Sequence, residues 1–385
     1  MPTCQRDLVH LPDGLHYLNC AYMAPLLKSV EAAGIAALRR RHDPTSITAP
    51  DFFSAVDRAR ALFAQLIGGD AARVAIIPGV SYGMATIAKN LRLRGGQNVV
   101  VAHGQFPSNV YAWRRRCAET GASLRAVAPP DIAEGRGREW NARLLEAIDE
   151  GTALVTLGNV YWADGTLFDL EAIGERARGV GAMLVVDGSQ SIGALPFDLR
   201  RVRPDALVCA SYKWLFGPYG LSLAWYGERF DDAEPLEETW LGRRGSEDFA
   251  RLVEYEDEYQ PGAARFDMAE RSSFVLMPML VAALEQVLAW GPENVQAYCA
   301  ELTHGLIGEA RALGYWMEDE AWRGAHLFGI RLPPGADPAR LQAALRERRV
   351  SVSQRGDAVR VAAHLFNTPD DVAALADALR AAMHG

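Results

Sequence analysis

Short apolar runs alternate with longer amphipathic segments between Val74 and Tyr226. The runs are continuously hydrophobic, a pattern typical of strands that are covered on both faces of a sheet. They are VAIIP (74–78), NVVVAH (98–103), ALVTLGN (153–159), AMLVVDG (182–188), ALVCAS (206–211) and LSLAWY (221–226). The segments between them predict crossover helices at 82–91, 144–150 and 169–180. This alternation is typical of an α/β fold.

The pattern changes after residue 230. Residues 231–261 crowd acidic side chains around aromatic ones, which predicts an irregular excursion from the main sheet and a domain border. An apolar helix follows over SSFVLMPMLVAALEQVLAWG, interrupted at Pro278. Strands at HLFGIRL and AVRVAAHL and a helix at 370–383 close the chain. We therefore expect a large domain at 16–260 and a smaller α+β domain at 261–385, joined by the N-terminal segment 1–15.

Size and charge narrow the classes of partner. A chain of 385 residues, 49% of them hydrophobic, can bury a large core and exceeds the usual size of one domain. The net charge is −8, and no basic stripe is present that could neutralise the phosphates of a nucleic acid. We expect a small molecule or another subunit as the partner, and no nucleic acid.

The absence of several motifs argues against other classes of protein. The five cysteines are odd in number and never form C-x-x-C, which argues against a disulfide framework and against a structural zinc site. No metal-ligand spacing of histidines, no G-x-S-x-G and no Walker loop occur. No apolar run approaches the ~18 residues of a membrane span, and no signal peptide begins the chain. We expect a cytoplasmic protein that holds no metal and contacts no membrane.

Three polar side chains follow predicted strands. Asn159 and Asp187 end two of the runs, and Lys213 comes two residues after Ser211 ends a third. Ligands of open α/β sheets bind outside the carboxyl ends of the strands. A lysine amine with a carboxylate is what pyridoxal 5′-phosphate (PLP) requires, and the apolar neighbours of Lys213 favour its neutral amine. The alternatives are a surface lysine and an aspartate that only caps a helix.

The segment IIPGVSYGMATIAKNL offers a phosphate site. Gly79 allows a tight turn after Pro78, Ser81 is a good N-cap, and a helix is predicted to begin near Tyr82. Unpaired N–H groups at such a helix start bind anions. Phe106, after another strand, could stack on a flat cofactor ring, or it could belong to the core.

An ordered series of segments resembles the class V branch of fold-type I PLP enzymes. This branch includes cysteine desulfurases, kynureninase, isopenicillin N epimerase-like proteins and aminotransferases. The segments are HYLNCAYMAPLLKSV, GVSYGM, HGQFPSN, LGNVYWADGTLFDL, VVDGSQSIGA, CASYKWLFGPYG and VRVAAHLFNTPDDV. The resemblance implies a mostly parallel seven-stranded sheet between helix layers, plus a smaller α+β C-terminal domain.

The resemblance also implies a set of roles. Lys213 would bind PLP as a Schiff base and carry the proton, and Asp187 would pair with the pyridine nitrogen. Arg360 would bind the α-carboxylate of a small amino acid. Further cofactor contacts would come from Ser81, Tyr82, Phe106, Asn159, Gln190, Ser211, Tyr212, Trp240 and Ser273, and further substrate contacts from Asn19 and Tyr22. Trp240 and Ser273 fall where the family uses the neighbouring subunit, which implies a homodimer with shared sites.

Departures from the family pattern reduce the number of reactions that are expected of this chain. No cysteine lies after Cys299, so persulfide chemistry on a loop before Arg360 is not expected. Gln190 and Phe106 stand where kynureninase and the desulfurases, respectively, have histidine. Ala362 and Phe366 replace the usual serine and tyrosine of the last motif.

Several functions remain open at this point. We rank an aminotransferase first, a PLP-dependent β-lyase that cleaves C–S or C–C bonds second, and an epimerase third. A protein of another class, which keeps the fold without turnover, is disfavoured because Lys213, Asp187, Gln190 and Arg360 occur together.

Overall fold

A computed structural model of the chain describes residues 3–132 and 134–383. Its strands are β1 (His16–Tyr17), β2 (Val74–Ile77), β3 (Asn98–Ala102), β4 (Ser123–Val127), β5 (Thr152–Leu157), β6 (Met183–Asp187), β7 (Ala206–Ala210), β8 (Ser222–Tyr226), β9 (Leu327–Arg331), β10 (Val350–Ser351), β11 (Ser353–Arg355) and β12 (Ala358–Ala362). Its helices are α1 (Lys28–Arg40), α2 (Ser54–Ile67), α3 (Val80–Asn90), α4 (Tyr111–Thr120), α5 (Arg136–Ala147), α6 (Leu170–Gly179), α7 (Leu199–Val202), α8 (Leu276–Trp290), α9 (Pro292–Ala312), α10 (Pro338–Glu347) and α11 (Pro369–Met383). Short 3₁₀ turns connect several of these elements.

A seven-stranded sheet forms the centre of the fold, in the order β2–β8–β7–β6–β5–β3–β4. The strands from β7 through β4 are parallel to their neighbours, whereas β8 runs antiparallel to both β7 and β2. Successive residues of one strand belong to two different hydrophobic clusters. Val99 and Val101 belong to one hydrophobic cluster, and Val100 belongs to the other. Both faces are therefore covered, which explains the continuous apolar runs and confirms the predicted fold class.

The C-terminal part is built on a second, antiparallel sheet of order β11–β12–β9. The N-terminal segment attaches to it, because β1 pairs with β10 and the Gln5 N–H donates to the Leu365 carbonyl at 2.7 Å. The assignment of segment 1–15 to the C-terminal domain stays a prediction. The domain boundaries at 15/16 and 260/261 stay a prediction, and residues 1–2 and 384–385 at their outer ends lie outside the described residues.

Residues 231–261 form the predicted irregular excursion, with short 3₁₀ turns such as Trp240–Gly242 and Phe249–Arg251 as its regular structure. Along residues 3–132 and 134–383, none of the helices is long and apolar enough to cross a membrane.

Four local predictions were wrong. β4 was missed because it lies at the sheet edge, pairs only with β3 and is half-exposed. α5 begins at Arg136, earlier than predicted, because its first turns bury polar residues that a hydropathy pattern does not reveal. Pro278 does not interrupt α8, since it lies in the first turn, where a missing N–H costs no hydrogen bond. α3 begins at Val80, so Gly79 and not Ser81 is its N-cap.

Candidate active site

One cavity opens at the carboxyl ends of the central strands, with a volume of about 240 Å³. β5, β6 and β7 are adjacent and parallel, so their ends meet at the same edge of the sheet. The chain continues from these ends into the cavity wall. Six residues predicted from the sequence line it together, namely Ser81, Phe106, Asp187, Gln190, Tyr212 and Lys213.

Lys213 places a buried amine in this cavity. The chain contains three lysines, of which Lys28 and Lys89 are exposed, whereas Lys213 is only 7% exposed. Burial lowers the pKa of Lys213 to about 8, and the negative charge of Asp187 partly opposes this shift. Roughly a tenth of this amine is therefore neutral, and hence nucleophilic, at pH 7, a much larger fraction than in an exposed lysine.

The loop that carries Lys213 is held in an unusual conformation. The buried Ser211 hydroxyl lies 2.8 Å from the Pro218 carbonyl oxygen and 2.6 Å from that of Leu221, which closes the loop. Phe216, three residues after the lysine, has a positive φ of 53°, a conformation that is rare for a bulky side chain. Such strain persists only where the surrounding packing enforces it. Ser211 therefore shapes the loop and does not line the cavity.

Asp187, the last residue of β6, faces the same cavity with 9% of its surface exposed. Its Oδ1 accepts the Ser189 N–H at 3.0 Å and so caps a short 3₁₀ turn, the capping role predicted for an aspartate at this position. The structure gives its Oδ2 no hydrogen bond from the described residues. One carboxylate oxygen thus remains available to a ligand.

Gln190 stands beside Asp187 and is fixed from three directions. Its Oε1 accepts the Trp214 indole N–H at 2.9 Å, and its Nε2 donates to the Ala21 carbonyl at 3.2 Å. The carbonyl of Gln190 accepts a hydrogen bond from Nε2 of His326 at 2.8 Å. Burial lowers the pKa of His326 to about 4, so the imidazole is neutral and carries one N–H. That N–H is on Nε2, because the Gln190 carbonyl can only accept. These bonds make the floor of the cavity rigid.

The start of α3 forms the opposite end of the cavity. Gly79, Val80 and Ser81 line it, and the first N–H groups of a helix have no intrahelical partner. The Ser81 hydroxyl donates to the Ser108 hydroxyl at 3.0 Å. This end can therefore bind an anion such as a phosphate. The Tyr82 side chain turns away and packs against the second hydrophobic cluster, where burial raises the pKa of its hydroxyl.

Arg360 lies on β12 next to this cavity and is almost completely buried, with 1% of its surface exposed. Its Nη1 donates to the carbonyl of Trp162, a residue that lines the cavity, at 2.8 Å. Burial, followed by the nearby charge of Arg355, lowers the pKa of Arg360 to about 9. Among the described residues no carboxylate lies within ion-pair distance of Arg360.

The remaining predicted residues do not line the cavity. Asn159 Nδ2 donates to the Phe168 carbonyl at 3.2 Å, and the side-chain Oδ1 of Asn19 accepts from the Ser353 hydroxyl at 2.8 Å. Trp240 packs with Phe52 and Phe249, Ser273 accepts the Leu276 N–H at 3.3 Å, and Tyr22 is 57% exposed.

The structure adds residues that the sequence analysis did not single out, namely Gln105, Ser108, Trp162, Ser189 and Tyr219. Gln105 and Ser108 flank Phe106 within HGQFPSN, and Trp162 lies within LGNVYWADGTLFDL, so their position in these motifs could have indicated them. The Nε2 of Gln105 is buried, and none of the described residues gives it a hydrogen-bond partner.

A comparison with protein families decides the assignment. The family model "Aminotransferase class-V" matches residues 38–384, most of the chain. The chain belongs to the class V aminotransferases. The predicted family, the enzyme class and the cofactor PLP are thereby confirmed.

Individual relatives of this family member are named for different reactions. An isopenicillin N epimerase of Streptomyces clavuligerus is 26% identical over 335 residues, which cover 84% of this chain and 83% of the relative. A cysteine desulfurase of Synechococcus elongatus is 30% identical over 236 residues, 60% of this chain and 36% of the relative.

Solved structures agree with the fold of this chain. A cysteine desulfurase from Thermococcus onnurineus NA1 has a TM-score of 0.81 at 18% identity, covering 98% of this chain and 97% of the other. A complex of the cystine C–S lyase C-DES with cysteine persulfide has a TM-score of 0.83 at 19% identity, covering 95% and 97%.

The cavity of this class V family member fits the cofactor of its family. PLP requires an amine for its aldehyde, a carboxylate for its ring nitrogen and N–H donors for its phosphate. The cavity presents the buried amine of Lys213, the free Oδ2 of Asp187 and the N–H groups at the start of α3. The unpartnered Nε2 of Gln105 adds one further donor.

Proposed function

We propose that Lys213 binds PLP covalently and that the enzyme acts on a small amino acid by transamination. The observation that carries this proposal is the single buried lysine amine, next to a carboxylate with a free oxygen, in one cavity of the fold. Bound PLP would supply an electron sink for negative charge that develops at the substrate α-carbon.

Residues of the chain would move the proton, hold the cofactor ring and exclude water. Once released by the incoming substrate amine, Lys213 Nζ would accept the α-proton, and its pKa of about 8 suits a general base near neutral pH. Asp187 would hold a proton on the cofactor ring nitrogen through Oδ2. Phe106, whose ring centroid lies 5.4 Å from Lys213 Nζ, would cover the cofactor ring and exclude water.

Arg360 would bind the substrate α-carboxylate. A buried arginine without an acidic partner is unfavourable, and a bound carboxylate would remove that cost. Its position beside the cavity, against the carbonyl of Trp162, supports this role.

We expect Arg360→Lys to raise KM for amino acids roughly 10- to 100-fold, because lysine keeps the charge but loses the bidentate geometry. The visible absorption band of lysine-bound PLP should remain. Steady-state kinetics with an amino acid, and with the matching amine that lacks the carboxylate, would check this. Arg200→Lys, at an arginine whose side chain is 79% exposed, is the control. An unchanged KM in Arg360→Lys would contradict the assignment.

Transamination ranks first, with two alternatives. Among the described residues, 3–132 and 134–383, no cysteine lines the cavity. This disfavours a reaction in which sulfur is transferred to a cysteine of the enzyme. A β-lyase that releases its sulfur or carbon fragment directly, and an epimerase, need no such cysteine. The named relatives include an epimerase and desulfurases, so both alternatives stay open.

One experiment separates these reactions. The purified holoenzyme is mixed with a panel of amino acids in deuterated water while its absorption spectrum is recorded. Conversion of the cofactor to its pyridoxamine form supports transamination. Release of pyruvate, alanine or sulfide without that conversion indicates a lyase, and deuterium at the α-carbon with loss of optical purity indicates an epimerase. Either of the last two results would overturn the first choice.

A homodimer with shared sites is part of this proposal. Tyr219 lines the cavity, yet 71% of its surface is exposed, and Tyr111 and Tyr22 are similarly open to solvent. Trp240 and Ser273 lie away from their own chain's cavity, as expected of residues that serve the partner's site. Light scattering after gel filtration should give twice the chain mass of 42.1 kDa. A fully active monomer would contradict this part of the proposal.

A further inference from the structure

A second arginine accompanies Arg360 on the hairpin formed by β11 and β12. In this hairpin Ser353 pairs with Arg360, and Arg355 pairs with Ala358. Residues two apart on a strand point to the same face of a sheet. Arg355 and Arg360 therefore share a face as diagonal neighbours on adjacent strands, close enough for their long side chains to interact.

Both arginines contact Trp162. Arg360 donates to the Trp162 carbonyl at 2.8 Å, and the Arg355 guanidinium carbon lies 5.7 Å from the centroid of the Trp162 ring. Trp162 itself lines the cavity that holds Lys213. The hairpin thus presents two cations to one side of the proposed substrate site.

Neither cation is neutralised within the described part of the chain. Arg355 Nη1 donates to the carbonyl of Gln354 at 2.8 Å, and its Nε is buried with no hydrogen-bond partner in residues 3–132 and 134–383. Asp357, the acidic residue of the same turn, pairs instead with Arg331 at 3.1 Å. No ion pair joins Arg355 to a described acidic residue. The charge of Arg355 also contributes to the lowered pKa values of Arg360 and Lys213.

Two like charges on neighbouring strands destabilise each other, and a half-buried donor without a partner adds to the cost. One substrate carboxylate, bound by Arg360, would compensate only one of them. A second anionic group on the same substrate would compensate the other, because Arg355 lies against Trp162, a residue that lines the cavity.

We propose that Arg355 is a specificity-determining residue which binds an anionic group on the substrate side chain, so that the enzyme prefers amino acids with acidic side chains. This inference rests on the proposed function, in which Arg360 takes the α-carboxylate. It assigns the two arginines to different ends of one substrate.

The test compares amino acids that differ only in side-chain charge. The holoenzyme is titrated with L-aspartate and L-asparagine, and with L-glutamate and L-glutamine. The dissociation constant is read from the change in the cofactor's absorption spectrum, and kcat/KM is measured alongside. We expect one acidic member to be preferred over its amide roughly 10- to 100-fold, the range of a charge-assisted hydrogen bond.

Arg355→Gln should remove this preference by weakening only the acidic amino acid. Arg360→Lys should weaken the acid and its amide alike. Gln354→Ala, on the opposite face of the same strand, is the matched control and should change neither. Thermal melting of each variant shows whether the hairpin remains folded.

The role of Arg355 and the proposed PLP-dependent function fail in different ways. Equal weakening of acid and amide by Arg355→Gln, or no preference in the unmodified enzyme, would overturn the role of Arg355 while leaving a PLP enzyme. A cofactor spectrum that responds to no amino acid at all would overturn the proposed function, and this inference with it.

Discussion

Replacing Lys213 with alanine is expected to abolish the visible absorption band of lysine-bound PLP and to lower kcat by roughly 10³-fold or more. The substitution removes both the covalent attachment and the proposed general base, and general acid–base catalysis alone is worth about 10²- to 10⁴-fold. Absorption spectroscopy of the purified variant with added PLP, together with single-turnover rates, would measure both effects.

The variant should remain folded. Lys213 is buried, and burying an amine is unfavourable, so its removal should not lower the melting temperature of the cofactor-free protein. Lys28→Ala is the control, because that lysine is exposed at the start of α1. If Lys213→Ala kept the band and its activity, the assignment of this lysine would be wrong.

Changing Asp187 to asparagine should lower kcat/KM roughly 10²- to 10³-fold, the range for removing one preorganised electrostatic contact. Asparagine has nearly the same shape, and its Oδ1 can still accept the Ser189 N–H, so the local turn should survive. The loss would then come from the missing negative charge beside the cofactor ring. Kinetics and thermal melting of the variant would separate chemistry from stability.

A second readout tests the same charge without turnover. Asp187 opposes the lowering of the Lys213 pKa, so its neutralisation should move that pKa further below about 8. The rate at which PLP attaches to the cofactor-free variant should therefore rise at lower pH than in the unmodified protein. Asp169→Asn is the control, since Asp169 caps α6 and asparagine caps equally well. An Asp187→Asn enzyme with full activity would refute the role of this carboxylate.

The fold was predictable from the sequence where burial controls the pattern. Strands covered on both faces appear as apolar runs, and all six predicted runs correspond to strands. β4 escaped because an edge strand with one neighbour carries no such pattern. α5 was placed too late because Arg136, at its start, is buried in ion pairs with Asp164 and Glu318, partners that are distant in sequence.

The site was predictable where residues follow strands directly. Asp187 ends β6 and Lys213 closely follows β7, so the parallel neighbours bring them together. Residues on irregular segments could not be placed in the same way. The position of Trp240 depends on the excursion at 231–261. That no described carboxylate pairs with Arg360 depends on contacts from several segments. Ser211, two residues before Lys213, bonds to its own loop, a detail that only coordinates reveal.

The most direct test of the central claim is to locate the lysine that carries the cofactor. The purified holoenzyme is reduced with borohydride to fix the cofactor, digested and examined by mass spectrometry. With only three lysines in the chain, the result is unambiguous. We predict the cofactor mass on the peptide that contains Lys213 and on neither of the other two lysines. Attachment at Lys28 or Lys89, or at no lysine after incubation with PLP, would contradict the account.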